Sequence, residues 1–148
     1  MTITEGHIRA NGLEFGYLAA GDQGPLALCA HGFPDSARTW DLLLPQLADA
    51  GFRAVAPWLR GYAPTEVPAD GLYQPGAIAS DLNALHEALG GDDQAVLIGH
   101  DWGAIASYIS VANAPDRWRR LVTASVPPAG AVGRGFFSYA QLQRSWYI

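Results

Sequence analysis

The sequence contains no lysine: all nine of its basic residues are arginine. That absence excludes Schiff-base chemistry and a phosphate-loop lysine. There is one cysteine, Cys29, set inside an apolar run, so no disulfide framework can form within the chain. Long runs of positive charge are also lacking, and with a net charge of −5 nucleic acid has little electrostatic support as a partner. No apolar run reaches membrane-spanning length, and residues 1–5 lack the basic-then-apolar pattern of a leader. These absences lead us to expect a soluble, cytoplasmic protein that engages neither nucleic acid nor membrane. No metal and no cofactor is assigned.

What is present is enough for one ordinary domain. The 148 residues are 49% hydrophobic and 16% charged, which supports a real core and argues against disorder. Two strand-like segments at 7–10 and 13–17 flank Asn11-Gly12, a strong two-residue hairpin signal. The continuous apolar run 26–30 predicts a strand buried on both faces. Asp35 or Ser36 is placed to cap a helix over 37–50, with Trp40, Leu43, Leu44 and Leu47 at helical spacing. A strand over 52–56, a loop rich in Pro and Gly over 57–71 and a helix over 75–89 follow. Ile78, Leu82, Leu85 and Leu89 share one face of that helix, and His86 is expected just off it, at the surface. A last strand is expected over 121–125. Alternating strands and helices predict an α/β fold: a mostly parallel sheet with helices on both faces.

The most telling segment is Gly99-His100-Asp101-Trp102-Gly103. An apolar run, 95–98, leads into it, and a helical pattern leads out. That is strand, sharp turn, helix, with one reactive side chain at the apex. Glycines two positions either side relieve a crowded backbone. The geometry is that of a nucleophile elbow with Asp at the apex. An Asp side chain is ionised at neutral pH, its unperturbed pKa being about 3.9. It can attack a saturated carbon without a base and leave an ester on the protein. A carboxylate that merely caps the following helix is the alternative. The flanking glycines, together with the loop His31-Gly32-Phe33-Pro34 that follows the strand at 26–30, favour the nucleophile.

These residues resemble the α/β-hydrolase superfamily, and within it the branch of epoxide hydrolases and haloalkane dehalogenases. His31-Gly32-Phe33-Pro34 matches that family's oxyanion loop, Arg60-Gly61-Tyr62 a loop after the next strand, and Gly99 to Gly103 the elbow. The order agrees over essentially the whole chain. The resemblance implies that Asp101 is the nucleophile and that the backbone N–H groups of Phe33 and Trp102 form an oxyanion hole. His31, Gly32 and Pro34 would support the oxyanion loop, and Gly99, His100 and Gly103 the elbow. Pro34 would fix its loop, and a cis peptide there is compatible with that role. The resemblance implies an epoxide-opening hydrolase acting on a small apolar substrate; Phe33 favours epoxides over halides, whose enzymes more often place a polar residue there.

In that family a His acting as base and an acid orienting it follow the nucleophile in sequence. Here the four histidines are His7, His31, His86 and His100, all before Asp101, and the only later carboxylate is Asp116. The expectation is therefore the N-terminal half of the fold: residues 1–128 from the core, and 129–148, rich in aromatics, the beginning of a cap whose helix gets under way over 136–148. Such a chain alone would be inactive or act once, needing the remaining half of the fold in the same or another chain. A dehalogenase of the same branch, a non-catalytic module and a split enzyme remain the alternatives. A Ser esterase is disfavoured, because no Ser occupies the apex.

Overall fold

The computed structural model describes residues 1–131 and 138–144. Six strands form one sheet: β1 (Thr4–Ala10), β2 (Leu13–Ala20), β3 (Leu26–Ala30), β4 (Arg53–Pro57), β5 (Val96–His100) and β6 (Arg120–Ala124). Their order is β1-β2-β4-β3-β5-β6. The β1–β2 and β2–β4 pairs are antiparallel, and β4, β3, β5 and β6 run parallel. Asn11 and Gly12 turn the hairpin with φ of 46° and 79°, as a two-residue primed turn requires. The hairpin strands are longer than their hydrophobic cores suggested, because pairing extends from Ala10↔Leu13 out to Thr4↔Ala19.

β3 lies at the centre and all five of its residues are buried. Its side chains alternate between two cores. Leu26, Leu28 and Ala30 join Leu82 and Leu85 of α2 (Pro75–Ala88) and Ala106 of α3 (Trp102–Asn113). Ala27 and Cys29 join Leu44 and Ala48 of α1 (Leu43–Asp49), with Trp40 and Trp58. Helices thus cover both faces of a mostly parallel sheet, and the two tryptophans are core residues. Burial pushes the Cys29 thiol up to about 12, which makes it chemically inert.

Two local expectations are corrected. The segment 37–50 is not one helix. Ser36 caps a 3-10 turn, Ala37–Trp40, accepting from the Arg38 N–H, and α1 starts anew at Leu43. Pro45 is the reason: its ring would collide with the Asp41 carbonyl in a continuous helix and it has no N–H to offer there. His86 is buried rather than at the surface. Its ring meets Trp118 edge-on at 4.8 Å, and its Nε2 lies 3.0 Å from the Asp92 carbonyl.

Beyond β6, Tyr139–Arg144 forms α4, none of whose residues is buried. Helix onset over 136–148 is met in that segment; Phe136, Phe137 and 145–148 lie outside the described residues.

One buried charge pair ties the loop after β4 to α2. The Arg60 Nε and Nη2 donate to Asp81 Oδ2 and Oδ1 at 2.5 and 2.7 Å, and both residues are buried. Asn11 of the hairpin turn also donates to Asp81, at 2.7 Å. Breaking such a pair from one side costs about 3–5 kcal/mol, because a charge is left unpaired in the core.

Leu82 is fully buried between α2 and the sheet. Leu82→Ala should lower unfolding stability by about 2–5 kcal/mol. The expected readout is a fall in the urea midpoint with the slope of the transition preserved.

Candidate functional site

The parallel strands all end on one edge of the sheet, and the loops leaving β3, β4 and β5 meet there. In open α/β sheets this is where ligands bind. Asp101 stands at the junction between β5 and α3, with φ 52° and ψ −119°. For a non-glycine residue this is a strained conformation, costing about 1–3 kcal/mol. Neighbouring backbone makes the strain unavoidable. A Cβ on Gly103 would lie 2.2 Å from the Ala30 carbonyl oxygen and 2.5 Å from that of His31. A Cβ on Gly99 would meet Ser107 Oγ at 2.6 Å and the Gly103 carbonyl at 2.7 Å. Both elbow glycines therefore let α3 press against the ends of β3 and β5.

The loop after β3 completes the setting. A Cβ on Gly32 would fall 2.4 Å from Asp101 Cβ and 2.7 Å from its Oδ1, so only glycine admits the carboxylate. The Phe33 N–H donates to Asp101 Oδ1 at 2.9 Å. Trp102 opens α3, at a position where a helix N–H has no intrahelical acceptor and is available to an anion. The Phe33–Pro34 peptide is cis. Phe33 and Trp102 are 66% and 41% exposed, and with the exposed Val67 and Tyr73 they line one cleft, a grouping of apolar side chains that points to a ligand or another surface.

His31 is fully buried and both its ring nitrogens are engaged. Leu59 N–H donates to Nε2 at 3.1 Å, and Nδ1 lies 2.9 Å from the Gly32 carbonyl. These bonds assign the neutral tautomer with its proton on Nδ1. Burial lowers the His31 pKa below the usual histidine value, the Gly32 carbonyl and the Asp35 charge only partly opposing it. Tyr62 packs edge-on against the His31 ring at 4.7 Å. Burial first, then the Asp101 and Asp35 charges, raise the Tyr62 pKa, so its phenol stays protonated. His31 is thus a joint between two loops and has no nitrogen free for proton transfer. His100 precedes the apex, and its Nδ1 is buried without a hydrogen-bond partner among the described residues. His7 lies on the edge strand β1, and His86 packs against Trp118.

A cleft of about 510 Å³ opens beside Asp101. Its lining joins Phe33 and Trp102 to Tyr62, Val67, Tyr73 and Ile78. The surface is largely apolar, suited to a small apolar molecule. Val67 and Tyr73 were not singled out from sequence, because they sit in a Pro- and Gly-rich loop with no periodic pattern.

The family model described as the alpha/beta hydrolase fold matches residues 25–146. An epoxide hydrolase of Caballeronia sordidicola is 40% identical over 126 residues, which are 84% of this chain and 38% of that protein. Two crystal structures are similar. Epoxide hydrolase A from Mycobacterium thermoresistibile superposes with a TM-score of 0.80 at 37% identity, over 86% of this chain and 40% of its own. An epoxide hydrolase from Vigna radiata gives 0.78 at 36% identity, over 84% and 41%. The chain thus spans about two fifths of the length of these relatives.

Two outcomes follow from the packing at this edge. Gly103→Ala should destabilise the fold by about 1–3 kcal/mol or more, read as a lowered denaturant midpoint, since the added methyl meets two backbone carbonyls that cannot retreat. The second concerns pH. Because the folded-state pKa of His31 lies below the unfolded value of about 6.5, the unfolded chain binds the proton more readily. The contribution of His31 is complete above that value and is lost as pH falls below it. Urea midpoints measured from about pH 7 down to pH 5 should decline in the native sequence and decline less in His31→Asn.

Proposed function

The chain belongs to the alpha/beta hydrolase fold family, and from that premise we propose that it carries the nucleophile half of an epoxide-opening site, with Asp101 as the attacking group. The observation that carries the proposal is the forced placement of this carboxylate. A strained apex holds it against Gly32 and Phe33, which with Trp102 line an apolar cleft, and Oδ1 accepts from the Phe33 N–H, so Oδ2 is the oxygen that attacks. The names of the relatives, epoxide hydrolases at 36–40% identity, support the same substrate class.

In the first step an Asp101 carboxylate oxygen forms a bond to one epoxide carbon. The carbon–oxygen bond of the ring breaks, and the ring oxygen leaves as an alkoxide that takes a proton from a donor or from water. The product is a hydroxyalkyl ester of Asp101. In the second step water attacks the ester carbonyl. The Phe33 N–H, and that of Trp102 opposite, stabilise the oxyanion, and the diol departs. That water needs a base. None of the four histidines here offers one: His31 is doubly bonded, His7 and His86 belong to other parts of the fold, and we assign His100 to support of the elbow. Turnover therefore draws on groups additional to those of this chain. In keeping with this, we read 1–128 as core and 129–148 as the beginning of a cap domain. The pocket chemistry also fits a haloalkane, but the Phe33 side chain offers a halide no polar contact.

The test is covalent. Incubation of this chain with excess styrene oxide should add the mass of one epoxide, and peptide mapping should place it on Asp101. Asp101→Asn should remain unlabelled. Adducts scattered over other carboxylates, or none at all, would contradict the proposal, as would equal labelling of the Asn variant.

A further inference from the structure

The loop that follows β4 contributes half of the cleft, yet nothing in the chemistry above requires it. Val67 is 72% exposed and Tyr73 44% exposed, and both line the same cleft as Phe33 and Trp102. Exposed apolar side chains on a mobile loop would be unremarkable. This loop is pinned at both ends. At its start Thr65 Oγ donates to the Trp58 carbonyl at 2.6 Å and accepts from the Gly16 N–H at 3.2 Å. Glu66 bonds β2 twice: its N–H donates to the Glu14 carbonyl at 2.9 Å, and its carboxylate accepts from the Glu14 N–H at 3.0 Å.

The far end is held by Arg60. Two of its nitrogens are taken by Asp81, and the third, Nη1, donates to the Leu72 carbonyl at 2.7 Å. The Leu72 N–H in turn donates to Asp70 at 2.9 Å. The next residue, Tyr73, is thereby laid over Gly61, whose φ is +87° and where a Cβ would come within 2.9 Å of the ring. A guanidinium is planar, so fixing two nitrogens on Asp81 fixes the direction of the third. An ammonium on a flexible stem cannot transmit position in that way.

We propose that residues 65–73 are the substrate-selecting wall of the cleft, and that Arg60, held by Asp81, is the positioning residue that sets this wall. The wall selects for epoxides with an apolar, ring-sized substituent, which Tyr73 and Val67 would cover. It is anchored to β2 and α2, whereas Asp101 is anchored by β5, α3 and the loop after β3. Selection and bond-making therefore have different main anchors, which meet where the Leu59 N–H donates to His31. This inference rests on the covalent chemistry proposed for Asp101.

The experiment compares labelling of Asp101 by styrene oxide and by propylene oxide, each over a range of concentrations. In Tyr73→Ala the preference for styrene oxide should fall by roughly tenfold, through the half-saturating concentration rather than the limiting rate. Arg60→Lys, in which the Tyr73 side chain itself is unaltered but its position is no longer fixed, should shift the preference in the same direction. A preference that stays within about twofold of the original in Tyr73→Ala overturns the selecting role. A loss equal for both epoxides overturns it too. Hydrogen exchange separates this from failure of the chemistry. Amides of 66–73 should lose protection in Arg60→Lys while those of α3 keep theirs, whether or not any epoxide reacts. Unaltered exchange at 66–73 would overturn the clamp.

Discussion

A contact that leaves no room for a side chain governs this end of the molecule. Gly103 lies so close to the carbonyls at the end of β3 and the start of its loop that a single methyl would overlap both Ala30 and His31. That approach brings the first turn of α3 down onto the sheet and leaves the chain no relaxed way out of β5. The bend falls on Asp101, at φ 52°. Gly32 then vacates the volume the carboxylate occupies, and the Phe33 N–H receives it. The strain at the apex is of the order of 1–3 kcal/mol. It persists because α3 is packed along its length, with Ala104, Ala106, Ser107 and Ser110 buried. Ser107 and Ser110 are satisfied within that packing, by the Gly103 carbonyl and by Asn83.

His31 extends this constraint to the neighbouring loop. Its ring accepts from the Leu59 N–H and bonds the Gly32 carbonyl, so the loop after β3 and the loop after β4 share one rigid joint. The joint works only while the imidazole is neutral, since a proton on Nε2 would face the Leu59 N–H. Burial keeps it so. A histidine beside a nucleophile invites assignment as a base. Here the two hydrogen bonds decide against it, because each nitrogen already has its partner and the ring is shut off from solvent.

Much of this edge was legible in the sequence. Glycines at 99 and 103 around an Asp, set between an apolar run and a helical pattern, announce the strand–turn–helix, and the structure has it. The Asn-Gly hairpin and the all-apolar β3 were equally plain. The helix expected over 37–50 failed because apolar spacing was allowed to outweigh Pro45, whose ring divides the segment. His86 was misplaced because the ring that covers it, Trp118, comes from distant sequence. Arg60 was read only as part of a loop motif, and its pairing with Asp81 was overlooked for the same reason. A signal was nevertheless present: Asp81 falls on the stripe of Ile78, Leu82 and Leu85, and a carboxylate on an apolar face needs a buried partner. The cleft wall at Val67 and Tyr73 had no such signal. Its shape comes from hydrogen bonds to β2 and from one arginine, not from any periodicity.

An Asp at the apex, rather than a Ser, also changes what the rest of the site must supply. A serine needs a base before it can attack at all. A carboxylate needs a base only afterwards, when water must open the ester. On the proposed chemistry the bond-making step therefore depends on the geometry gathered between β3 and α3, and on little else. The hydrolytic step depends on groups that face the same cleft from elsewhere. The two demands on Phe33 differ accordingly. Its N–H must hold a carboxylate oxygen in the resting state and a fuller negative charge on that same oxygen in the second transition state. A backbone donor in a loop fixed by Gly32, His31 and Asp101 can do both without moving, and preorganisation of this kind is where most electrostatic stabilisation in acyl chemistry arises.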